Sequence, residues 1–206
     1  MSAPEYWDDA KKALSKSDPV LKKIIAEYHG EAMQGRNDAF HTLMRAIVGQ
    51  QISVKAADAV WKRLETGIGG MTVENALLKT PEQFREFGLT RQKGLYAADL
   101  TQYFAEHQPT RATWDTMTDE EIITDLVKIK GIGRWTAEMF LMFHLQRPDV
   151  LPLGDLGLVK AMYKFYNAGE KLELPALRQL AEPWQPYRTV ATWYMWRTYD
   201  LEAINY

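Results

Sequence analysis

Apolar positions along the chain recur at intervals of three and four, and no stretch alternates apolar and polar residues as a half-buried strand would. In NDAFHTLMRAIVGQQ, residues 37–51, Phe40, Leu43, Ile47 and Val48 share one helical face. Asp18 followed by Pro19 reads as an N-cap with proline in the first helical position, ahead of VLKKIIAEY. Ser53 can cap VKAADAVWKRLE, and Thr90 can cap RQKGLYAADLTQYFAEH. Thr80-Pro81-Glu82-Gln83 and Thr118-x-x-Glu121 both match a capping box. The segments EMFLMFHL, LGLVKAMYKFY, PALRQLAEPW and YRTVATWYMWRTY complete the set. There is no Asn-Gly or Asp-Gly hairpin turn, no repeat of fixed period and no low-complexity linker. The pattern predicts an all-α protein of about ten or more helices. They are expected in two lobes, with residues 1–30 joining the last third of the chain.

Composition narrows the chemistry. The chain has 206 residues, 46% of them hydrophobic and 25% charged, which suits a globular protein with a substantial core. A net charge of -2 excludes a uniformly basic nucleic-acid coat but allows a local basic patch. With no cysteine there is no disulfide, no thiol nucleophile and no Cys-ligated metal. The four histidines show no metal-ligand spacing, so no catalytic metal is indicated. No apolar run reaches the length of a membrane span, and the polar, acidic N-terminus does not read as a signal peptide. The expected location is cytoplasmic, nucleoid-associated in a bacterium. Most of the seven Trp and ten Tyr are expected in the core.

The stretch KIKGIGRWTAEMF, residues 128–140, stands apart. Two helices meet across Gly131-Ile132-Gly133, with Leu126 and Ile129 closing the first. Glycine allows positive φ and close approach by another chain. The amides of Gly131 through Thr136 sit at a helix start, where free N–H groups and the positive dipole end favour an anion. Lys128, Lys130 and Arg134 flank them, Thr136 adds a hydroxyl, and no acid occurs from Leu126 to Ala137. A phosphodiester suits such a site, which positions nucleic acid without reading its sequence. The plainer alternative is an αα-turn with a glycine C-cap.

LVKIKGIGRWTA resembles the helix–hairpin–helix of the DNA glycosylase superfamily named for that hairpin and for the Gly/Pro-rich loop and aspartate that follow it. VLPLGDLGLVKAMYKFY, with Asp155 after Leu-Pro-Leu-Gly, is similar to the second signature. FHTLMRAIVGQQISVKAADAVW resembles the segment these enzymes insert into DNA. GLTRQKGLYAADL is similar to the alkylation branch, the DNA-3-methyladenine glycosylase II type. The four motifs stand in order over roughly residues 39–165. The implied fold is the all-α helix–hairpin–helix glycosylase fold, two helical lobes with the active-site cleft between them. Residues 1–206 would be a single such domain, with a middle lobe over about 35–130. The hairpin, catalytic loop and second lobe would follow from about 127–206, joined by the N-terminal helices. An N-terminal α/β domain carried by some relatives is expected to be absent.

The resemblance implies roles residue by residue. Asp155 is the expected catalytic carboxylate, stabilising an oxocarbenium-like sugar and activating water; the alternative is a plain N-cap. Gln51, with Gln50 and Ile52 beside it, would fill the gap left by a flipped nucleotide; the alternative is a polar loop capped by Ser53. Trp135 would wall the base pocket, where bifunctional members carry a nucleophilic lysine, so a lyase step from that position is excluded. Met139 takes a place that is aromatic in some relatives. Trp196 resembles the family's C-terminal pocket tryptophan, with Trp193 near it, though core packing accounts for both equally well. Lys130, Gly131, Ile132, Gly133, Arg134, Thr136, Ser53, Arg91 and Lys93 are expected on DNA phosphates; for Arg91 and Lys93 the alternative is a solvated face. Carbonyls of Val127, Ile129 and Ile132 would hold a monovalent cation, and no other cofactor is implied. The expected activity is monofunctional removal of 3-methyladenine and 7-methylguanine from double-stranded DNA by a monomer. The rivals are a non-catalytic hairpin DNA-binding module, a glycosylase for a neutral damaged or mismatched base, and a helical enzyme acting on small nucleosides.

Overall fold

The computed structural model describes residues 3–36 and 38–198. Within them every regular element is a helix and no strand forms. The helices are α1 (Trp7–Ser17), α2 (Pro19–Glu27), α3 (Ala39–Gly49), α4 (Val54–Ile68), α5 (Val73–Leu77), α6 (Pro81–Glu86) and α7 (Arg91–His107). There follow α8 (Arg111–Asp115), α9 (Asp119–Leu126), α10 (Arg134–Phe143), α11 (Leu156–Tyr166), α12 (Leu174–Leu180), a 3-10 turn (Glu182–Trp184) and α13 (Arg188–Arg197). Of the expected last helix, Tyr199 lies outside the described residues.

The starts follow the capping logic. Asp18, Ser53 and Thr90 accept amide hydrogens of α2, α4 and α7. Both expected capping boxes are present, Thr80 with Gln83 and Thr118 with Glu121. Two differences have simple causes. The five-residue α5 and α8 are too short to show a helical period and were not legible. PALRQLAEPW is broken after Leu180, where Pro183 cannot continue an α-helix and the chain tightens into the 3-10 turn.

The described residues divide into two compact units, 38–140 and 3–36 with 141–198. The first holds α3 to α9 and most of α10. Its core joins Leu43, Ile47, Leu64, Phe84, Leu100 and Leu126. Phe40 meets Phe104 edge-on at 5.4 Å between ring centres, and Trp114 meets Phe140 at 5.0 Å. α7 packs tightly on α6, since a Cβ at Gly94 would lie 2.7 Å from the Pro81 carbonyl oxygen.

The second unit gathers α1, α2 and α11 to α13. Leu14, Leu21, Leu158, Met162, Val190 and Tyr194 form its core. Buried Asp18 ties three segments together: it caps α2 and accepts from the Tyr166 hydroxyl at 2.6 Å and the Trp184 indole at 2.8 Å. Burial first, then the Asp18 carboxylate, pushes the Tyr166 phenol far above its ordinary range.

Candidate nucleic-acid interface and active site

The hairpin joins α9 to α10 inside the first unit, whereas the sequence grouped it with the second lobe. Its ties explain the placement. The Gln50 side-chain amide donates to the Gly131 carbonyl at 2.8 Å. The Lys130 amide donates to Asp99 at 2.8 Å. Ile129 and Ile132 are buried on either side of the turn. Gly131 has φ +87, and a Cβ there would run into the Tyr96 ring, so it must be glycine on two grounds. Gly133 has neither constraint: no atom stands within 4 Å of a Cβ built there.

Every basic residue of the hairpin meets a carboxylate from outside the acid-free window. Lys128 pairs with Asp125 at 2.9 Å and Lys130 with Asp99 at 3.2 Å. Arg134 reaches Glu138 at 3.1 Å and Glu120 at 3.0 Å. The hydrogen bond from Arg134 holds the Glu120 carboxyl below its usual range. The acid-free window from Leu126 to Ala137 is thus a property of the sequence alone. In space the cations are matched. The side chains of Lys128, Lys130 and Arg134 nonetheless remain 67%, 74% and 58% exposed, so the ion pairs are shallow and exchangeable. Thr136 is buried, which leaves little of it for a phosphate.

Before α4 the chain makes the exposed tip Gln51-Ile52-Ser53. Gln51 adopts the left-handed conformation, φ 59, and Ile52 is a large apolar residue 41% exposed. Ser53 caps α4 through the Ala56 amide at 3.3 Å. Gln50 differs from the expectation, because its amide points back to the hairpin. Lys93 differs too: its ammonium donates to the carbonyls of Val48 at 2.8 Å and Gln50 at 2.6 Å. Arg91, at the start of α7, stands exposed.

On α10 Trp135 is half-buried in the first turn and Met139 is buried one turn on.

In the second unit Asp155 closes the turn Leu151-Pro152-Leu153-Gly154, its amide bonded to the Pro152 carbonyl, and caps α11. It is 8% exposed. Its Oδ1 accepts from the Leu158 amide at 2.7 Å and from the Trp196 indole N–H at 2.8 Å. Gly157 makes room for this meeting, since a Cβ there would lie 3.1 Å from Oδ1 and 3.4 Å from the indole. Trp196 in turn stacks on Phe143, centres 6.1 Å apart and planes 11° from parallel. Capping and orientation by a tryptophan thus coexist at one carboxylate. Trp193 goes elsewhere. Three residues from Trp196, it faces Trp7 edge-on at 5.1 Å and carries the Arg197 guanidinium at 4.2 Å, so it belongs to the α1–α13 core. Phe143 was missed because nothing distinguishes it within an apolar helix.

An all-helical chain with a glycine hairpin and a buried aspartate after a Leu-Pro-Leu-Gly turn is the pattern of a helical base-excision protein. The chain belongs to the HhH-GPD superfamily of base excision DNA repair proteins, whose model matches residues 44–186. It is 33% identical over 192 residues to the DNA-3-methyladenine glycosylase 1 of Schizosaccharomyces pombe, covering 88% of this chain and 81% of that protein. Among solved structures it resembles a DNA-3-methyladenine glycosidase from Bacillus halodurans, with TM-score 0.77, 31% identity, and 92% and 93% of the two chains covered. It also resembles a fission-yeast 3-methyladenine DNA glycosylase bound to abasic DNA, with TM-score 0.78, 28% identity, and 92% and 96% covered.

Among the described residues no cluster of His, Asp and Glu fit for a metal occurs, and no helix is long and apolar enough to cross a membrane.

Proposed function

We propose that this protein is a monofunctional DNA glycosylase of the 3-methyladenine glycosylase II type. It hydrolyses the N-glycosidic bond of alkylated purines, 3-methyladenine and 7-methylguanine, in double-stranded DNA. The observation that carries the reading is the Asp155 carboxylate, buried and aimed by the Leu158 amide and the Trp196 indole.

Alkylation at N3 or N7 leaves a cationic base that departs readily, so the enzyme's task lies at the sugar. The base must first leave the stack. Its glycosidic bond breaks with the electron pair going to the base. Asp155 stabilises the positive charge that develops on the sugar and orients a water. Water adds at C1′ and its proton passes to the carboxylate, leaving free base and an abasic site. Trp135 offers an aromatic face to the cationic base. Its indole forms no Schiff base, so no lyase step starts from that position. Gln51 and Ile52 fill the vacated stack, and the amides around Gly133 with Arg134, Lys130, Ser53 and Arg91 hold the backbone.

The hairpin suits a monovalent cation in kind. The Ile129 carbonyl accepts the Ile132 amide at 3.0 Å and keeps a second lone pair, and Val127 and Ile132 would complete the set. Such an ion would add positive charge beside a phosphate. The protein would act as a monomer in the cytoplasm, at the nucleoid in a bacterium.

The test is release of free bases from methylated duplex DNA, followed by chromatography, with strand integrity read on the same samples. Free 3-methyladenine with an intact abasic strand supports the reading. Duplex binding without base release would make the protein a binding module, and strand cleavage would refute the monofunctional part.

A further inference from the structure

The tip carrying Gln51 is held by residues that the sequence had aimed at DNA. Lys93 sits in the first turn of α7, where Thr90 caps its amide at 3.2 Å and neighbouring Gly94 packs α7 onto the Pro81 carbonyl of α6. Its stem therefore rises from a fixed base. Its Nζ bonds two carbonyls at the end of α3, Val48 at 2.8 Å and Gln50 at 2.6 Å. Those carbonyls belong to the negative, unsatisfied end of that helix, where a cation is favoured. The side chain of the same Gln50 bonds the hairpin at the Gly131 carbonyl, 2.8 Å away. Gln51 then turns left-handed at φ 59 and leaves for solvent.

We propose that Lys93 is a positioning residue: it locks the Gln51 tip to α3 and, through Gln50, to the hairpin, and it is not a phosphate contact. The proposal rests on reading Gln51 as the group that fills the flipped nucleotide's place. A glutamine in the left-handed region is strained by about 1–2 kcal/mol and persists only where its surroundings fix it. Here the residue before it is fixed at both its carbonyl and its side chain. The ammonium itself is partly withdrawn from water, and this burial draws its pKa below the ordinary lysine value. Two carbonyls compensate that lost hydration. A lysine reaching for phosphate has no reason to desolvate against its own chain. Through Lys93, Gln50 and Gly131 the gap-filling tip and the hairpin become one framework, so a backbone held at one is in register with the other.

The test compares wild type with Lys93→Met, which keeps the stem and loses the charge, and with Gln50→Leu, which cuts only the tie to the hairpin. Thermal melting establishes that each is folded. Amide hydrogen exchange of the free protein comes first and needs no substrate. We expect residues 50–53 to exchange roughly tenfold or more faster in Lys93→Met, while the core helices keep their protection. Excision of 3-methyladenine from a single-lesion duplex should then fall by about 10- to 100-fold, as for a misplaced group remote from the bond that breaks. The salt dependence of binding to undamaged duplex should not change, whereas a lost phosphate contact would lower the slope by about 0.9. Should Lys93→Met not fold, the same exchange and salt measurements on Lys93→Ala, which also removes the donor, decide the matter. Unchanged exchange at 50–53, unchanged excision by a loosened tip, or a lowered salt slope would each overturn the proposal. If the wild type releases no base yet the tip loosens as expected, the glycosylase reading fails and the positioning role stands.

Discussion

The starts of α10 and α11 are both glycine-bearing turns leading into apolar helices, KGIGRW and LPLGDLG, and they differ in the residue that stands directly before the helix. At α11 the chain supplies its own anion: Asp155 caps the helix and is pinned by Trp196. At α10 the residue directly before the helix is Gly133, which has no side chain to cap it. The acids lie to the side, on Asp99, Asp125, Glu120 and Glu138, and Gly133 faces open space. Under the proposed function the Asp155 carboxylate serves the chemistry, and the glycine turn before α10 would receive a DNA phosphate. The division of labour we propose is catalysis at Asp155 and grip at the hairpin.

The sharpest way to break the comparison is at Asp155. Asparagine keeps the cap, so Asp155→Asn should fold normally and lose about 10²- to 10³-fold in single-turnover excision. Gly131→Ala should cost roughly 1–3 kcal/mol by urea denaturation, because alanine there is strained by its φ and meets Tyr96. Trp196→Phe keeps a ring against Phe143 but deletes the donor to Asp155. A fall of about tenfold in kcat with little change in KM is expected, since the carboxylate loses one of the groups that aim it. Gly133→Ala should melt like wild type and bind duplex about fivefold more weakly, the cost of roughly one spoiled backbone contact. The smallest effect belongs to Glu120→Gln, which releases Arg134 from one partner. Binding should tighten by about two- to threefold at low salt and less at high salt.

Legibility follows the range over which each interaction acts. Caps, proline starts and the helical period are local, so α2, α4, α6, α7, α9 and α11 could be placed from their own residues. The Asp155 turn and the glycine hairpin are equally local and were readable as motifs. What escaped depends on distant partners. Asp99 reaches Lys130 across 31 positions, and Lys93 reaches Val48 across 45. Lys130 therefore looked unopposed, and Lys93 at a helix start looked aimed at a DNA phosphate. Trp193 and Trp196 lie three residues apart on one helix, and only tertiary packing sends one to Trp7 and the other to Asp155.

The central claim is that chemistry and grip reside at different helix starts. Its most direct test measures dissociation constant and single-turnover excision rate together, on one duplex with a single 3-methyladenine, for Asp155→Asn and Gly133→Ala beside wild type. The account requires Asp155→Asn to keep its affinity and lose its rate, and Gly133→Ala to lose affinity and recover the full rate at saturating protein. If affinity and rate fall together in both variants, the two turns do not divide the work and the account is wrong.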